Sequence, residues 1–175
     1  MRTITLVKIR MTNFKSYKKE TIVEFSKEPG FKFLGGKNLS EPRLGANGSG
    51  KSTLWDALFW CFYGTSVRDL RASELITFGE KECSVAADIA IGRASYTISR
   101  TAPPNKLYLD GNLVEQPEID QLLGLNKDRF RHSVLFGQQV DLFPDLAMPD
   151  RANLLDDVLD LSVWARASRS PRRRG

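Results

Sequence analysis

The sequence predicts an α/β fold, and three observations carry that prediction. Residues 45–52 read Gly-Ala-Asn-Gly-Ser-Gly-Lys-Ser, which satisfies G-x-x-x-x-G-K-[ST] at every fixed position. The following run, Ser-Thr-Leu-Trp-Asp-Ala-Leu-Phe-Trp-Cys-Phe-Tyr, closes on Gly64 and has the spacing of a helix that is apolar almost all round. Stretches of alternating apolar and polar residues lie on both sides of this pair, at 4–10, 21–25, 83–91 and 94–100. A glycine-rich turn feeding a buried helix and flanked by strands is the arrangement in which a phosphate-binding loop works.

Each part of the loop has a chemical reason. Gly45, Gly48 and Gly50 allow the backbone to curl until successive N–H groups point inward, a concave nest for phosphate oxygens. Lys51 reaches the β- and γ-phosphates, and Ser52 supplies a small hydroxyl for Mg²⁺. The helix starting here turns its positive end toward the anion, with Ser49 and Thr53 on either side of the Lys-Ser pair. Within the helix, Leu54, Trp55, Leu58, Phe59 and Phe62 form one face, and Ala57, Trp60 and Cys61 extend it. Aromatic residues at that spacing are read as core. Residues 31–34, Phe-Lys-Phe-Leu, are the strand expected upstream. The connection over 35–44 is longer than a direct strand-to-loop step, which predicts an irregular backbone there.

In chain order, residues 4–10 and 21–25 predict an antiparallel hairpin, interrupted by Asn-Phe-Lys-Ser-Tyr at 13–17. Residues 66–81 read as surface loop and short helix. Strands at 83–91 and 94–100 turn at Gly92-Arg93, and strands at 106–109 and 113–115 turn at Asp110-Gly111; together they read as a β-rich insertion. Residues 118–123 predict a short helix stopped by Gly124, and 130–136 a strand. Pro149 opens a last helix with an apolar stripe at Leu154, Leu155, Val158 and Leu159, so the Asp156-Asp157 pair reads as a helix turn.

The 175 residues suit one core, and the formal net charge is +5. Five arginines lie in residues 165–175 without an acid, so the rest of the chain is neutral. Global basicity is therefore no argument that the folded part binds nucleic acid, although the tail could touch phosphates. The composition of 165–175 predicts disorder. Cys61 and Cys83 form neither a disulfide framework nor a metal-ligand pattern, and the single His132 reads as structural. Lacking a secretory leader and a long apolar run, the chain is expected in the cytoplasm, away from membranes.

The Asn-Phe-Lys-Ser-Tyr segment, the phosphate loop, and the Phe-Gly-Gln-Gln-Val-Asp-Leu-Phe of residues 136–143, in that order, carry a resemblance. Residues 1–164 resemble the N-terminal ATPase lobe of SbcC-type double-strand-break repair proteins and of phage recombination-endonuclease ATPase subunits. These belong to a superfamily with ABC- and SMC-like heads. The resemblance implies ATP and Mg²⁺ as cofactors, Asn47 near the γ-phosphate, and Lys15 as the basic residue beside the nucleotide. It also implies Gln138, with Gln139 as the alternative, as the Q-loop residue that senses Mg²⁺ and the γ-phosphate. Partners implied are DNA, an SbcD-type nuclease subunit, a complementary C-terminal lobe and a second head. No Ser-Gly-Gly, no apolar strand closed by Asp-Glu and no heptad array occur, so the chain is expected to be the N-terminal half of a head, without turnover by itself. The alternatives are a phosphate-loop kinase of small molecules, for which Arg68, Arg71, Arg129 and Arg131 are available, and a nucleotide-binding fragment without catalytic activity.

Overall fold

A computed structural model of the chain describes residues 3–25, 28, 30–38, 42–46, 48–68, 70–135, 147–149, 151–152 and 155. The chain divides into two compact units, Met1–Gly124 and Leu125–Gly175. The expected boundary at 164/165 and the Q-loop residues Gln138 and Gln139 lie outside the described residues, as does Asn47.

Among the described residues, the first unit is built on one antiparallel sheet packed against a long helix. Its strands are β1 (Ile4–Thr12), β2 (Thr21–Glu24), β3 (Cys83–Ile91), β4 (Ala94–Ala102), β5 (Lys106–Leu109) and β6 (Asn112–Leu113), in spatial order β2-β1-β3-β4-β5-β6. The stretch expected as a β-rich insertion is thus continuous with the N-terminal hairpin. β3 runs along β1 from Ile4↔Ile91 to Thr12↔Ser84, with an irregularity between Leu6 and Lys8. Alternation decides which face is wet. Ile9, Met11, Cys83, Val85, Ala87, Ile89, Ile98 and Ala102 are buried, while Lys8 and Arg10 on the opposite face reach Asp88 at 3.7 and 3.0 Å.

Against the buried face lies α1 (Lys51–Tyr63). Leu54 and every residue from 56 to 63 are buried, as an all-round apolar helix requires, whereas Trp55 is partly exposed and meets Phe25 at 6.0 Å between ring centroids. Small side chains allow close approach: Cys61 Sγ lies 3.5 Å from the Val85 carbonyl and 3.4 Å from that of Ile98. Burying Trp60, Phe59 and Leu54 contributes about 1.5–3 kcal/mol each. Gly64 ends the helix in the left-handed region, at φ 71°, its N–H bonded to the Trp60 carbonyl at 2.8 Å.

Two smaller helices complete this unit. α2 (Ala72–Leu75) falls in the stretch expected to hold a short helix. α3 (Gln116–Leu123) begins two residues earlier than its periodicity suggested, because Glu115 and Glu118 form a capping box, and it stops at Gly124 as expected.

Two expected strands are absent among the described residues. Residues 31–38 form no regular element, and Phe31 and Phe33 are 102% and 100% exposed. A strand needs a hydrogen-bonding neighbour about 4.8 Å away, and no described strand pairs with this segment. In the second unit, the strand expected over 130–136 is replaced by α4 (Lys127–Ser133). Local capping outweighs its β-like composition. The Asn126 side chain accepts from the Arg129 N–H, Asp128 sits in the first turn, and Arg131 and His132 sit in the last, where the helix dipole favours them. Residues 148–149, 151–152 and 155 are helical, consistent with a helix opening around Pro149.

Candidate phosphate-binding site

The loop of residues 45–52 is preceded by a 3-10 turn (Pro42–Leu44) and delivers the chain directly into α1. Gly45, Gly48 and Gly50 have φ of 58°, 71° and 89°, the left-handed conformations that the nest requires. Gly50 is the N-cap of α1. It offers no capping side chain, and the first turn holds no acidic residue. The amino end of the helix is therefore left for an external anion, which its N–H groups and dipole favour.

The ammonium of Lys51 arches back over the loop. It donates to the Ala46 carbonyl and, at 3.2 Å, to Ser49 Oγ, which itself donates to the Ala46 carbonyl at 2.7 Å. Three donors on one lysine are thus held at the mouth of the nest, where phosphate oxygens can replace neutral acceptors with charged ones. Ser52 is exposed beside it. Among the described residues no group of three or more His, Cys, Asp or Glu could hold a metal by itself. A single hydroxyl donor suits Mg²⁺, which keeps waters and takes phosphate oxygens as its remaining ligands.

A second segment comes to the same place. Residues 14–17 turn against the start of α1: Tyr17 OH donates to the Gly50 carbonyl at 3.1 Å, and Ser16 Oγ lies 3.4 Å from Thr53 Oγ1. Phe14 anchors this turn, fully buried with its ring centroid 5.5 Å from Trp60. From behind, Thr77 donates its N–H to the Asn13 carbonyl at 2.9 Å and its hydroxyl to the Lys15 carbonyl at 2.8 Å. Lys15 has φ 49°, and its ammonium pairs with the Asp56 carboxylate on α1. The turn thus stands beside the loop, with the Lys15 charge engaged one and a half helical turns beyond Lys51.

Two contributors escaped the sequence reading. Asp56 is buried and bridges three segments, accepting from Lys15 and, at 2.7 Å, from the Val67 N–H. Its signal was an acid inside an otherwise apolar helix. Arg100 occupies an inward position of β4 and caps the far end of α1. Its Nε donates to the Cys61 carbonyl at 3.2 Å and its Nη2 to that of Phe62 at 3.4 Å and to Gln116 Oε1 at 2.7 Å. Burial lowers its pKa from the usual arginine value. Its signal was a charge at a position whose alternation demanded an apolar residue.

The profile of the AAA domain family matches residues 8–163. The chain belongs to the AAA domain family. Similar proteins include exonuclease subunit 2 of Enterobacteria phage T4, 29% identical over 69% of this chain and 24% of the relative. The DNA double-strand break repair Rad50 ATPase of Methanocaldococcus jannaschii is 28% identical over 76% of this chain and 13% of the relative. The chain thus spans about a quarter or less of the length of these relatives. Among solved structures, the recombination mediator RecF with ATP superposes with a TM-score of 0.50 at 24% identity, covering 68% of this chain and 31% of that one. The likeness to RecF supports the fold, a phosphate-loop ATPase head, and the relatives uphold the SbcC/Rad50-type N-terminal-lobe resemblance drawn from the sequence.

Proposed function

We propose that the chain is the ATP- and Mg²⁺-binding lobe of a DNA double-strand-break repair or recombination ATPase that works with a nuclease subunit on DNA ends. The observation that carries this reading is the Lys51 ammonium folded over an uncapped α1 amino end, within a chain whose AAA domain match spans residues 8–163. Backbone amides of the nest hold the phosphates, Lys51 neutralises the β- and γ-phosphates, and Ser52 contributes its hydroxyl to Mg²⁺. When bound, Mg²⁺ would offset the charge of the phosphates. Thr53 and the turn carrying Lys15 flank the nucleotide, and Gln138 senses it.

In this reading residues 1–164 are the lobe and residues 165–175 an Arg-rich tail. The lobe joins a C-terminal lobe and a second head, with an SbcD-type nuclease subunit alongside, and its work on DNA places it in the cytoplasm. The named relatives, a repair ATPase and an exonuclease subunit, give the kinase alternative no support. No helix among the described residues is long and apolar enough to cross a membrane. Calorimetric titration of the full chain with ATP and Mg²⁺ tests the proposal. Saturable binding that weakens about 10- to 150-fold in Lys51→Ala is the expected result, and indifference to that substitution would overturn it.

A further inference from the structure

The peptide that joins Gly50 to Lys51 is held by a side chain 33 residues away in sequence. The Gly50 carbonyl accepts the first hydrogen bond of α1, from the Leu54 N–H at 3.1 Å, and accepts the Tyr17 hydroxyl as well, also at 3.1 Å. A carbonyl oxygen has two lone pairs, so both bonds can form at once. The peptide unit is planar and trans, and its N–H points opposite to its C=O. With the carbonyl turned into the helix, the Lys51 N–H points out of the amino end, toward the place an anion would take.

Gly50 cannot fix this geometry by itself. It has no side chain, and at φ 89° it uses the backbone freedom that lets the loop curl. The neighbouring turn supplies the restraint. A Cβ on Gly50 would lie 3.1 Å from the Tyr17 hydroxyl oxygen and 3.2 Å from Ser16 Oγ, so these two side chains wall one side of the residue. The turn is itself held in place. Phe14 donates to the Tyr17 carbonyl at 3.0 Å and Tyr17 to that of Phe14 at 2.8 Å, while the Lys15 N–H donates to the Leu75 carbonyl at 2.8 Å. Burial raises the Tyr17 pKa, so the phenol stays protonated and remains a donor at neutral pH.

We propose that Tyr17 is a positioning residue of the phosphate site: its hydroxyl, with Ser16 beside it, locks the Gly50–Lys51 peptide so that the Lys51 N–H faces the bound phosphates. The inference rests on the ATP reading above and adds to it a residue outside the contiguous loop, acting on the phosphates and not on the base.

Titration of the full chain with ATP and Mg²⁺, and in parallel with inorganic triphosphate and Mg²⁺, tests it. Tyr17→Phe keeps the half-buried ring and removes only the hydroxyl. It should weaken both ligands by the same factor, about 3- to 10-fold in Kd, as the loss of one neutral hydrogen bond implies. Gly64→Ala, which strains the far end of α1, is the control for lost stability and should bind ATP within about twofold of the parent. By amide NMR, the Lys51 N–H should shift on ATP binding in the parent and shift less in saturated Tyr17→Phe. A Tyr17→Phe chain with the parent's circular dichroism that binds as tightly as the parent, or that weakens toward ATP alone, overturns the inference while leaving the ATP reading intact. Equal weakening in Gly64→Ala also overturns it, since general loss of stability would then account for the effect. A parent chain that does not bind ATP overturns both.

Discussion

Lys15 and Asp56 form an ion pair in which the Asp56 side chain is 9% and the Lys15 side chain 21% exposed, joining the turn beside the phosphate loop to the helix that follows it. Taking two charges out of water this far is unfavourable unless each finds a partner, so removing one leaves the other stranded. Asp56→Ala is therefore expected to destabilise the fold by about 2–4 kcal/mol, the lower range for a buried pair because Lys15 retains some water. Lys15→Ala should cost less, since Asp56 keeps the Val67 N–H. A double-mutant cycle by urea unfolding, in which the two losses fail to add, checks the coupling; strict additivity would deny it.

Lys51→Ala removes a charge-assisted contact from a site otherwise made of backbone dipoles. A loss of about 1.5–3 kcal/mol in ATP binding is expected, roughly 10- to 150-fold in Kd. Stability without nucleotide should hardly change, because among the described residues the hydrogen bonds given for the Lys51 ammonium stay within its own loop. Thermal denaturation with and without ATP and Mg²⁺ separates these effects: at the same ligand concentration the parent should gain more Tm than the variant.

Gln138→Ala is expected to leave ATP binding nearly intact while uncoupling it from association with a complementary lobe. Nucleotide-dependent association surviving at full strength in a mixing experiment would remove Gln138 from the sensing role.

Arg100 and Gly64 make a matched pair at the other end of α1. A Cβ on Gly64 would lie 2.8 Å from Arg100 Nη1, at a residue whose φ is already 71°. Gly64→Ala should thus lose about 1–3 kcal/mol from left-handed strain plus displacement of the guanidinium. Arg100→Met should lose about 2–4 kcal/mol, because the Cys61 and Phe62 carbonyls and Gln116 lose a buried donor. Urea unfolding of both variants checks this, and a change below about 0.5 kcal/mol in either would contradict it.

Alkaline pH should weaken the fold through its thiols. Burial pushes Cys61 up to about 12, opposed in part by Arg100, and burial with the neighbouring Glu82 charge pushes Cys83 up to about 11, both from 9.0. The raised values mean that the native state holds protons the unfolded chain releases. The contribution to stability is full below about pH 9 and is lost as pH rises toward 11–12. The urea midpoint should fall between pH 8.5 and 10.5, and fall less in a Cys61→Ala, Cys83→Ala chain. Equal slopes would show that other groups set the alkaline limit.

Local chemistry determined much of this protein from sequence alone. The loop of residues 45–52, the all-round apolar α1 and the hairpins closed at Gly92-Arg93 and Asp110-Gly111 depend on residues close in sequence, where glycine conformation and side-chain period leave few choices. What sequence could not decide depends on partners far along the chain. Residues 31–34 have a strand's composition, yet no described strand supplies their hydrogen bonds. Residues 130–133 look like a strand, but the Asn126 cap four residues upstream makes them helical. Only the tertiary structure sets Lys15 on Asp56, 41 residues away, turns Arg100 inward to cap α1, and brings Tyr17 onto the Gly50 carbonyl. Each is a meeting of chemically ordinary residues, and it becomes specific when burial removes the water that would otherwise satisfy them.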